Sequence, residues 1–270
     1  MPELPEVETT RLGLLPRLLG RSLQNLIVRN PRLRWPVPED LAHQLVGTTL
    51  IGLERRGKYL LFNFGTVTQL VHLGMSGSLR FAEPEETCGA HDHIDWQFDG
   101  GALLRLRDPR RFGAVLWTSD PIQHPLLARL GPEPLTDAFD APYLYAQCSK
   151  RSAAIKQVIM DGHMVVGVGN IYASESLFHA GIRPATPAKN LTRPACARLV
   201  AAIKRVLDAA IAAGGSSLRD YVQTSGDLGY FQLQTQVYNR AGLACRTCNS
   251  PIRRVIQGQR ASFFCPRCQR

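Results

Sequence analysis

The sequence predicts an α+β protein in two parts: a leading helix with an antiparallel β-sandwich or barrel, then a helical region closed by a four-cysteine module. Three observations carry that reading. Short apolar runs separated by turn residues fill positions 22–118, the pattern of antiparallel strands. Helical periodicity takes over beyond residue 150. Cys245, Cys248, Cys265 and Cys268 then follow in a C-x2-C-x16-C-x2-C arrangement.

Taken in order, residues 3–19 read as an amphipathic helix with Leu4, Val7, Leu12, Leu15 and Leu18 available for one buried stripe; Gly13, Pro16 and Gly20 weaken its second half. Segments 23–28, 49–53, 58–64, 69–73, 78–81, 93–98, 102–107 and 113–118 are the candidate strands. Asp99-Gly100-Gly101 is a hairpin turn between two of them. The stretch 119–150 holds Pro121, Pro125, Pro132, Pro134 and Pro142 and reads as a connector with short helices. Segments 152–160, 171–180, 194–213 and 216–223 carry helical patterns, with Gly214-Gly215 stopping the third.

The chain has 270 residues, enough for two domains and a substantial core. A hydrophobic content of 44% and a charged content of 20% are those of an ordinary globular protein. No apolar run reaches membrane-spanning length and the acidic start is no signal peptide, so the expected location is the cytoplasm. The net charge of +10 points to a polyanionic partner. From Arg240 to Arg270 there are seven arginines and no Asp or Glu, a one-sided tail that suits phosphate. No amphipathic anchor helix accompanies it, which favours nucleic acid over a membrane surface.

The cysteine spacing lies inside the window for a tetrahedral zinc site. Two disulfides are the alternative, and a chain without a secretion signal does not favour them. With four thiolates, the one zinc ion would have no open position and would be structural. Cys88, Cys148 and Cys196 stand alone as ordinary thiols.

Pro2 is small enough to permit removal of Met1, which would leave a secondary amine with a pKa near ~8 and a sizeable neutral fraction at neutral pH. Such an amine attacks an electrophilic carbon and carries it as an iminium, and Glu3 beside it could move the proton. The plainer alternative is a proline and a glutamate that merely suit a helix start. Lys58, at the head of an apolar strand, reads as a snorkelling strand-end lysine or as a proton donor or phosphate contact. Met75 in Gly74-Met75-Ser76-Gly77, and Phe112 after Asp108-Pro109-Arg110-Arg111, are apolar loop tips. They fold back onto the core or act as wedges in a base stack, with Arg110 or Arg111 filling the gap or gripping phosphate. The Gly167-Val168-Gly169-Asn170 run opens a helix whose amides suit an anion, though a plain turn fits it equally. His91-Asp92-His93 lacks a third metal ligand, and a loop histidine contacting phosphate is the better reading.

These stretches jointly resemble the formamidopyrimidine-DNA glycosylases, bacterial enzymes that remove oxidised purines. The matching motifs are Pro2 to Thr9, Arg-Gly-Lys-Tyr-Leu around Lys58, His72 to Gly77, Asp108 to Gly113, Val166 to Glu175, and Gln259-Arg260-Ala261 ahead of Cys265. They run in the family's order along nearly the whole chain. The resemblance implies a catalytic sandwich domain at 1–133, a linker at 134–150, a helix-two-turn-helix domain at 151–235 and a zinc finger on a β-hairpin at 236–270. It also implies a bifunctional glycosylase and AP lyase acting as a monomer on double-stranded DNA with oxidised purines, at the nucleoid. Pro2 is then the nucleophile at C1′, Glu3 the proton donor to the opening sugar, and Lys58 an aid to proton transfer. Arg260 holds phosphate and serves the second elimination. Met75, Arg110 and Phe112 fill the space left by the flipped nucleotide, and His91, Arg151, Lys156 and Asn170 contact phosphate. Thr224 to Tyr230 resembles the loop over the damaged base. Gly162-His163 and Gln157 depart from the usual residues. The rival readings are the related endonuclease VIII type, which prefers oxidised pyrimidines, and a non-catalytic zinc-containing DNA-binding protein. The latter needs none of Pro2, Glu3 and Lys58.

Overall fold

The computed structural model describes residues 2–215 and 235–270. The predicted helix at 216–223 and the loop from Thr224 to Tyr230 lie outside the described residues. The chain divides into two compact units. One takes the described residues of Met1–Ala128 and Ala213–Tyr230, the other those of Arg129–Ala212 and Phe231–Arg270.

In the first unit, α1 (Leu4–Leu18) starts at a capping box between Glu3 and Glu6, with Pro5 in its first turn, where a missing amide proton costs nothing. The Glu3 amide donates to Glu6 Oε2 at 2.8 Å. Leu4, Val7, Leu14 and Leu18 are buried, whereas Leu12 is 47% exposed. The expected stripe is therefore corrected. At 3.6 residues per turn, Leu12 points roughly 125° away from the mean direction of the buried four, and Leu14 takes its place.

Strands β1 (Leu23–Val28), β2 (Gly52–Arg56), β3 (Tyr59–Asn63), β4 (Thr68–His72), β5 (Ser78–Ala82), β6 (Asp92–Phe98), β7 (Leu103–Arg107) and β8 (Ala114–Thr118) follow, with α2 (Leu41–Leu45) after β1. They form two four-stranded antiparallel sheets, in the orders β1-β6-β7-β5 and β2-β3-β4-β8. Leu23, Trp96, Leu104 and Leu79 from one sheet meet Leu53, Leu60, Val71 and Val115 from the other in a single core, joined by Leu14 and Leu18 of α1. Each such side chain contributes roughly 1.5–3 kcal/mol by leaving water. Strand β2 begins three residues later than the apolar run suggests. It carries Glu54, Arg55 and Arg56, and Arg55 bonds to Glu8 of α1 at 2.9 Å, so a charged segment is a strand because the helix pairs with it. Helix α2 is too short for its periodicity to register, yet it buries Leu41 and Leu45. Gly100 and Gly101 turn between β6 and β7 with φ of +64° and +78°.

The second unit contains α3 (Ala141–Cys148), α4 (Ile155–Ile159), α5 (Asn170–Ala180) and α6 (Arg193–Ala212), then the hairpin β9 (Arg253–Gln257) and β10 (Arg260–Phe264). Asp140 caps α3 by accepting the Tyr143 amide at 2.7 Å. Gly181, at φ +71°, ends α5 in the left-handed region. Helix α6 buries Cys196, Leu199, Ile203, Val206, Leu207 and Ala210. Gly258 and Gln259, at φ +53° and +63°, form the two-residue turn whose twist suits a hairpin. The departures at Gln157, Gly162 and His163 are absorbed locally. The Gly162 carbonyl accepts the Gly131 amide at 2.8 Å, and His163 Nδ1 bonds the Arg129 carbonyl at 2.8 Å. Gln157 lies so near the hairpin turn that a methyl on Gly258 would stand 2.6 Å from its Nε2. Among the described residues, no helix is long and apolar enough to cross a membrane.

Inside the first sheet, Arg105 is 2% exposed and grips Asp95 with two bonds of 2.9 Å, while the 30%-exposed Arg29 adds a third at 2.6 Å. Burial opposes the Asp95 charge, but the two guanidinium groups outweigh it and hold the carboxyl below its usual range. Replacing Arg105 with Leu is expected to cost about 3 kcal/mol in urea unfolding, and Arg29 with Ala less than about 1 kcal/mol, because only the first change strips a buried charge of its enclosed partner.

Candidate nucleic-acid interface and active site

Pro2 and Glu3 are both buried at the head of α1. The capping box fixes Glu3 in extended backbone, its carboxylate on the Glu6 amide and its own amide on Glu6. Lys58 sits half-buried in the Gly57-Lys58 turn between β2 and β3, with Gly57 at φ +57°. Arg55, just before that turn, bonds both Glu8 Oε2 and the Gly57 carbonyl, at 2.9 and 3.1 Å. The turn carrying Lys58 is thereby tied to the helix that carries Glu3.

His72 ends β4 with its ring 4.8 Å from that of Tyr59. Its Nδ1 accepts the Gly74 amide at 3.0 Å, which places any ring proton on Nε2. Burial, with the positive charges of Lys58 and Arg34, pushes this imidazole down to about 4. It is a neutral hinge pin for the loop beyond it.

That loop, residues 73–77, crosses from β4 to β5, that is, from one sheet to the other. Residues 108–113 make the return crossing from β7 to β8. Both leave paired strands, His72 opposite Ala114 and Ser78 opposite Arg107, so the crossings run side by side. Gly74, at φ +63°, lies so close to the second loop that a Cβ would stand 2.3 Å from the Phe112 carbonyl carbon. Asp108, fully buried, accepts from Ser76 Oγ at 2.9 Å and from the Gly113 amide at 2.8 Å. Ser76 Oγ in turn accepts the Arg110 amide at 3.2 Å. Arg111 is held at φ +55°, a conformation unusual for a side chain of its size. The outcome is a pair of protruding apolar tips. Met75 is 37% exposed and Phe112 41%, with the Arg110 guanidinium 4.9 Å from the Phe112 ring centre. Neither tip folds back into the core. His91 is exposed, and its carbonyl accepts the Asp108 amide at 3.0 Å.

In the second unit, Lys156 is 1% exposed, and its ammonium donates to Asn170 Oδ1 at 2.6 Å, Ser262 Oγ at 2.8 Å and the Ala261 carbonyl at 3.0 Å. These bonds orient the Asn170 side chain at the start of α5 and hold the hairpin strand next to Arg260. Arg260 itself is exposed. Arg151 is half-exposed and stands 3.5 Å from Asp161. Glu175, 2% exposed, accepts the amides of Gln236, Val237 and Tyr238 at 2.8, 3.0 and 2.8 Å. Burial raises its carboxyl above the usual range even against those three bonds. Sequence reasoning assigned no role to Glu6, Ser76, Asp108 or Glu175, although all four lie inside stretches it singled out.

The ligand atoms of Cys245, Cys248, Cys265 and Cys268 lie within 4.8 Å of one another. The Cys245–Cys268 and Cys248–Cys265 sulfur separations are 3.9 and 3.4 Å. Thiolates at the usual zinc distance of about 2.3 Å stand ~3.8 Å apart in a tetrahedron, so this set fits the ion. Around it Phe178, Val237, Ile252 and Phe263 form a small separate core.

Solved FPG and MutM proteins share this fold. One, Lactococcus lactis FPG mutant G226P in complex with a Fapy-dG containing DNA, covers 100% of both chains with a TM-score of 0.93 at 34% identity. Another, MutM in complex with carbocyclic 8-oxo-G containing DNA, also covers 100% of both chains, at a TM-score of 0.92 and 34% identity. Residues 1–115 match the formamidopyrimidine-DNA glycosylase N-terminal domain, 130–222 the H2TH domain of the same enzymes, and 242–270 the zinc finger found in FPG and IleRS. A formamidopyrimidine-DNA glycosylase of Thiobacillus denitrificans is 72% identical over 270 residues, all of both chains. The chain belongs to the formamidopyrimidine-DNA glycosylase family.

Two outcomes follow from this geometry. A base whose folded pKa lies below its unfolded value of 6.5 refuses a proton that the unfolded chain accepts, so stability drains as pH falls from 6.5 toward about 4. The His72 ring is therefore expected to show no NMR titration between pH 8 and 5, and to account for about 1–2 kcal/mol of lost stability between pH 7 and 5, a loss smaller in His72→Gln. Cys248→Ala is expected to lose the metal and weaken DNA binding while the melting of the sandwich unit stays in place; metal content measured beside DNA affinity checks it.

Proposed function

We propose that this protein is a bifunctional DNA glycosylase and AP lyase that excises oxidised purines, 8-oxoguanine and formamidopyrimidines, from duplex DNA. The observation that carries the reading is Pro2, buried beside Glu3 at the head of α1, in a chain of this family. With Met1 removed, the Pro2 nitrogen is a secondary amine. Its lone pair attacks C1′ of the flipped nucleotide, the base departs with a proton, and the sugar ring opens as Glu3 protonates its oxygen. The resulting iminium makes the 2′ hydrogen acidic. Its loss expels the 3′ phosphate in β-elimination, and a second proton loss expels the 5′ phosphate in δ-elimination. Lys58 moves protons at the sugar and steadies a phosphate from its turn beside α1. Arg260 holds phosphate from the hairpin and serves the second elimination.

Met75, Arg110 and Phe112 enter the stack where the damaged nucleotide leaves it, offsetting an unstacking cost of a few kcal/mol. His91, Arg151 and Asn170 meet phosphate. Lys156 supports that contact from below, lending charge while holding the Asn170 carbonyl so that its amide protons face outward. Bound by the four cysteines, zinc supplies a closed structural crosslink. The substrate sets the location, the chromosome in the cytoplasm, and the enzyme acts as a monomer.

Borohydride trapping on an 8-oxoguanine duplex tests the assignment. Protein whose intact mass begins at Pro2 is expected to give a covalent adduct; protein with an unprocessed residue ahead of Pro2 is expected to give none, since a tertiary amide has no nucleophilic lone pair. Trapping by the extended chain would remove Pro2 from its role.

A further inference from the structure

We propose that Asp108 is a positioning residue for base extrusion: it locks the two sheet-crossing loops into one body, so that Met75, Arg110 and Phe112 enter the DNA in fixed register. The proposal rests on the reading of those three side chains as the group that fills the vacated space. It adds the element that sets their mutual placement.

The argument starts from topology. The crossings at 73–77 and 108–113 are separate excursions of the chain, and each carries part of the wedge. Side chains on independent loops would meet a base pair one at a time, and each would lose its own freedom on insertion. Here they are not independent. One Asp108 oxygen takes the Ser76 hydroxyl of the first loop, and the other takes the Gly113 amide at the far end of its own loop. Ser76 passes the link on by accepting the Arg110 amide. The Asp108 carbonyl accepts the Arg111 amide at 3.1 Å and meets His93 Nε2 at 2.9 Å, which seats the residue on β6. Gly74 and Gly113 permit the contact. A methyl on the first would strike Phe112 backbone, and one on the second would come within 3.0 Å of Asp108 Oδ2 and 2.9 Å of the His72 carbonyl.

Asp108 is fully buried, and no reacting atom needs to reach it. Its carboxylate is confined to accepting, and both oxygens are engaged by loop donors. An isolated loop aspartate would need only one such bond to cap its own turn. The second, to a different loop, is what joins the two tips.

The experiment separates extrusion from chemistry. Single-turnover excision of 8-oxoguanine and strand cleavage at a preformed abasic site are measured for Ser76→Ala, Asp108→Ala and Asp108→Asn, with Met75→Ala and Phe112→Ala alongside. An abasic site has no base to unstack, so its cleavage depends less on the wedge. Ser76→Ala and Asp108→Ala are expected to slow excision about tenfold and abasic-site cleavage by less than about threefold. Asp108→Asn is expected to recover most of the excision rate, because an amide can accept from Gly113 and donate to Ser76. A 2-aminopurine beside the lesion should report delayed unstacking in the two slow variants. Should Asp108→Ala fail to fold, Ser76→Ala carries the test, since it removes the link between loops and leaves the Gly113 bond. Excision at the parent rate in Ser76→Ala, with Met75→Ala and Phe112→Ala slow, would overturn the proposal, as would equal losses on both substrates. Parent rates in Met75→Ala and Phe112→Ala would instead remove the wedge reading, and the proposal with it.

Discussion

A charged group withdrawn from water must find its full set of hydrogen bonds inside the protein, and most of the functional geometry here depends on that demand. Asp108, Lys156, Glu175 and Glu6 are each at most 2% exposed. Their partners are largely loop amides and carbonyls rather than opposite charges. A backbone atom that satisfies a buried charge is held by it in return. Leaving the charge without that atom would cost about 1–3 kcal/mol or more, so the loop cannot drift cheaply. A core of Leu and Val shapes the sandwich and takes in Leu73, but it cannot fix the path of the connections beyond that residue.

The consequence is a division between backbone and tip. Met75, Phe112, Arg110 and Arg260 are exposed. The backbone beneath them is anchored by groups that never reach solvent. Binding then has to order side chains but not loops, and the entropic cost of association falls accordingly. Each unit does this with its own device. The sandwich uses the Asp108 bridge and the neutral His72. The helical unit uses Lys156 under Asn170 and Glu175 under the segment that leads to the cysteines.

The tips were legible in the sequence, and their anchors were not. Strand positions from β3 to β8 could be read because apolar runs alternate with turn residues, and the cysteine spacing specified its own site. Strand β2 began late because its charged residues face a helix partner that no local pattern displays. Met75 and Phe112 stood out as apolar residues among glycines and arginines. Asp108 did not, because an aspartate before a proline looks like an ordinary turn residue. Only the side-by-side crossings show that its second oxygen serves another loop. The surroundings of Lys156 were hidden for a related reason. A lysine beside phosphate-facing motifs reads as a phosphate ligand, and nothing in one dimension shows that Asn170, Ala261 and Ser262, more than 100 residues away in the last two cases, converge on its ammonium. Long-range polar convergence is the part of a site that composition and spacing hide.

The hairpin shows how such anchors substitute for a core. A two-stranded ribbon is marginal by itself in water, and β9 leaves four of its five residues exposed. Burial therefore cannot place Arg260. Three constraints do. The cysteine cluster closes the base of the ribbon over the core of Phe178, Val237, Ile252 and Phe263. The buried Gln269 side chain donates to the Ile182 carbonyl at 2.8 Å, and the Arg183 guanidinium returns a bond to the Gln269 carbonyl at 3.0 Å, so the chain end is stitched to the segment after α5. Lys156 then takes Ala261 and Ser262, the two residues directly after Arg260. The cysteines fix where the ribbon starts and Gln269 fixes where the chain ends. Lys156 fixes the strand at the point where the arginine leaves it. Loss of the metal would free the first of these and strain the other two, which is why a structural ion can decide whether Arg260 is held in place.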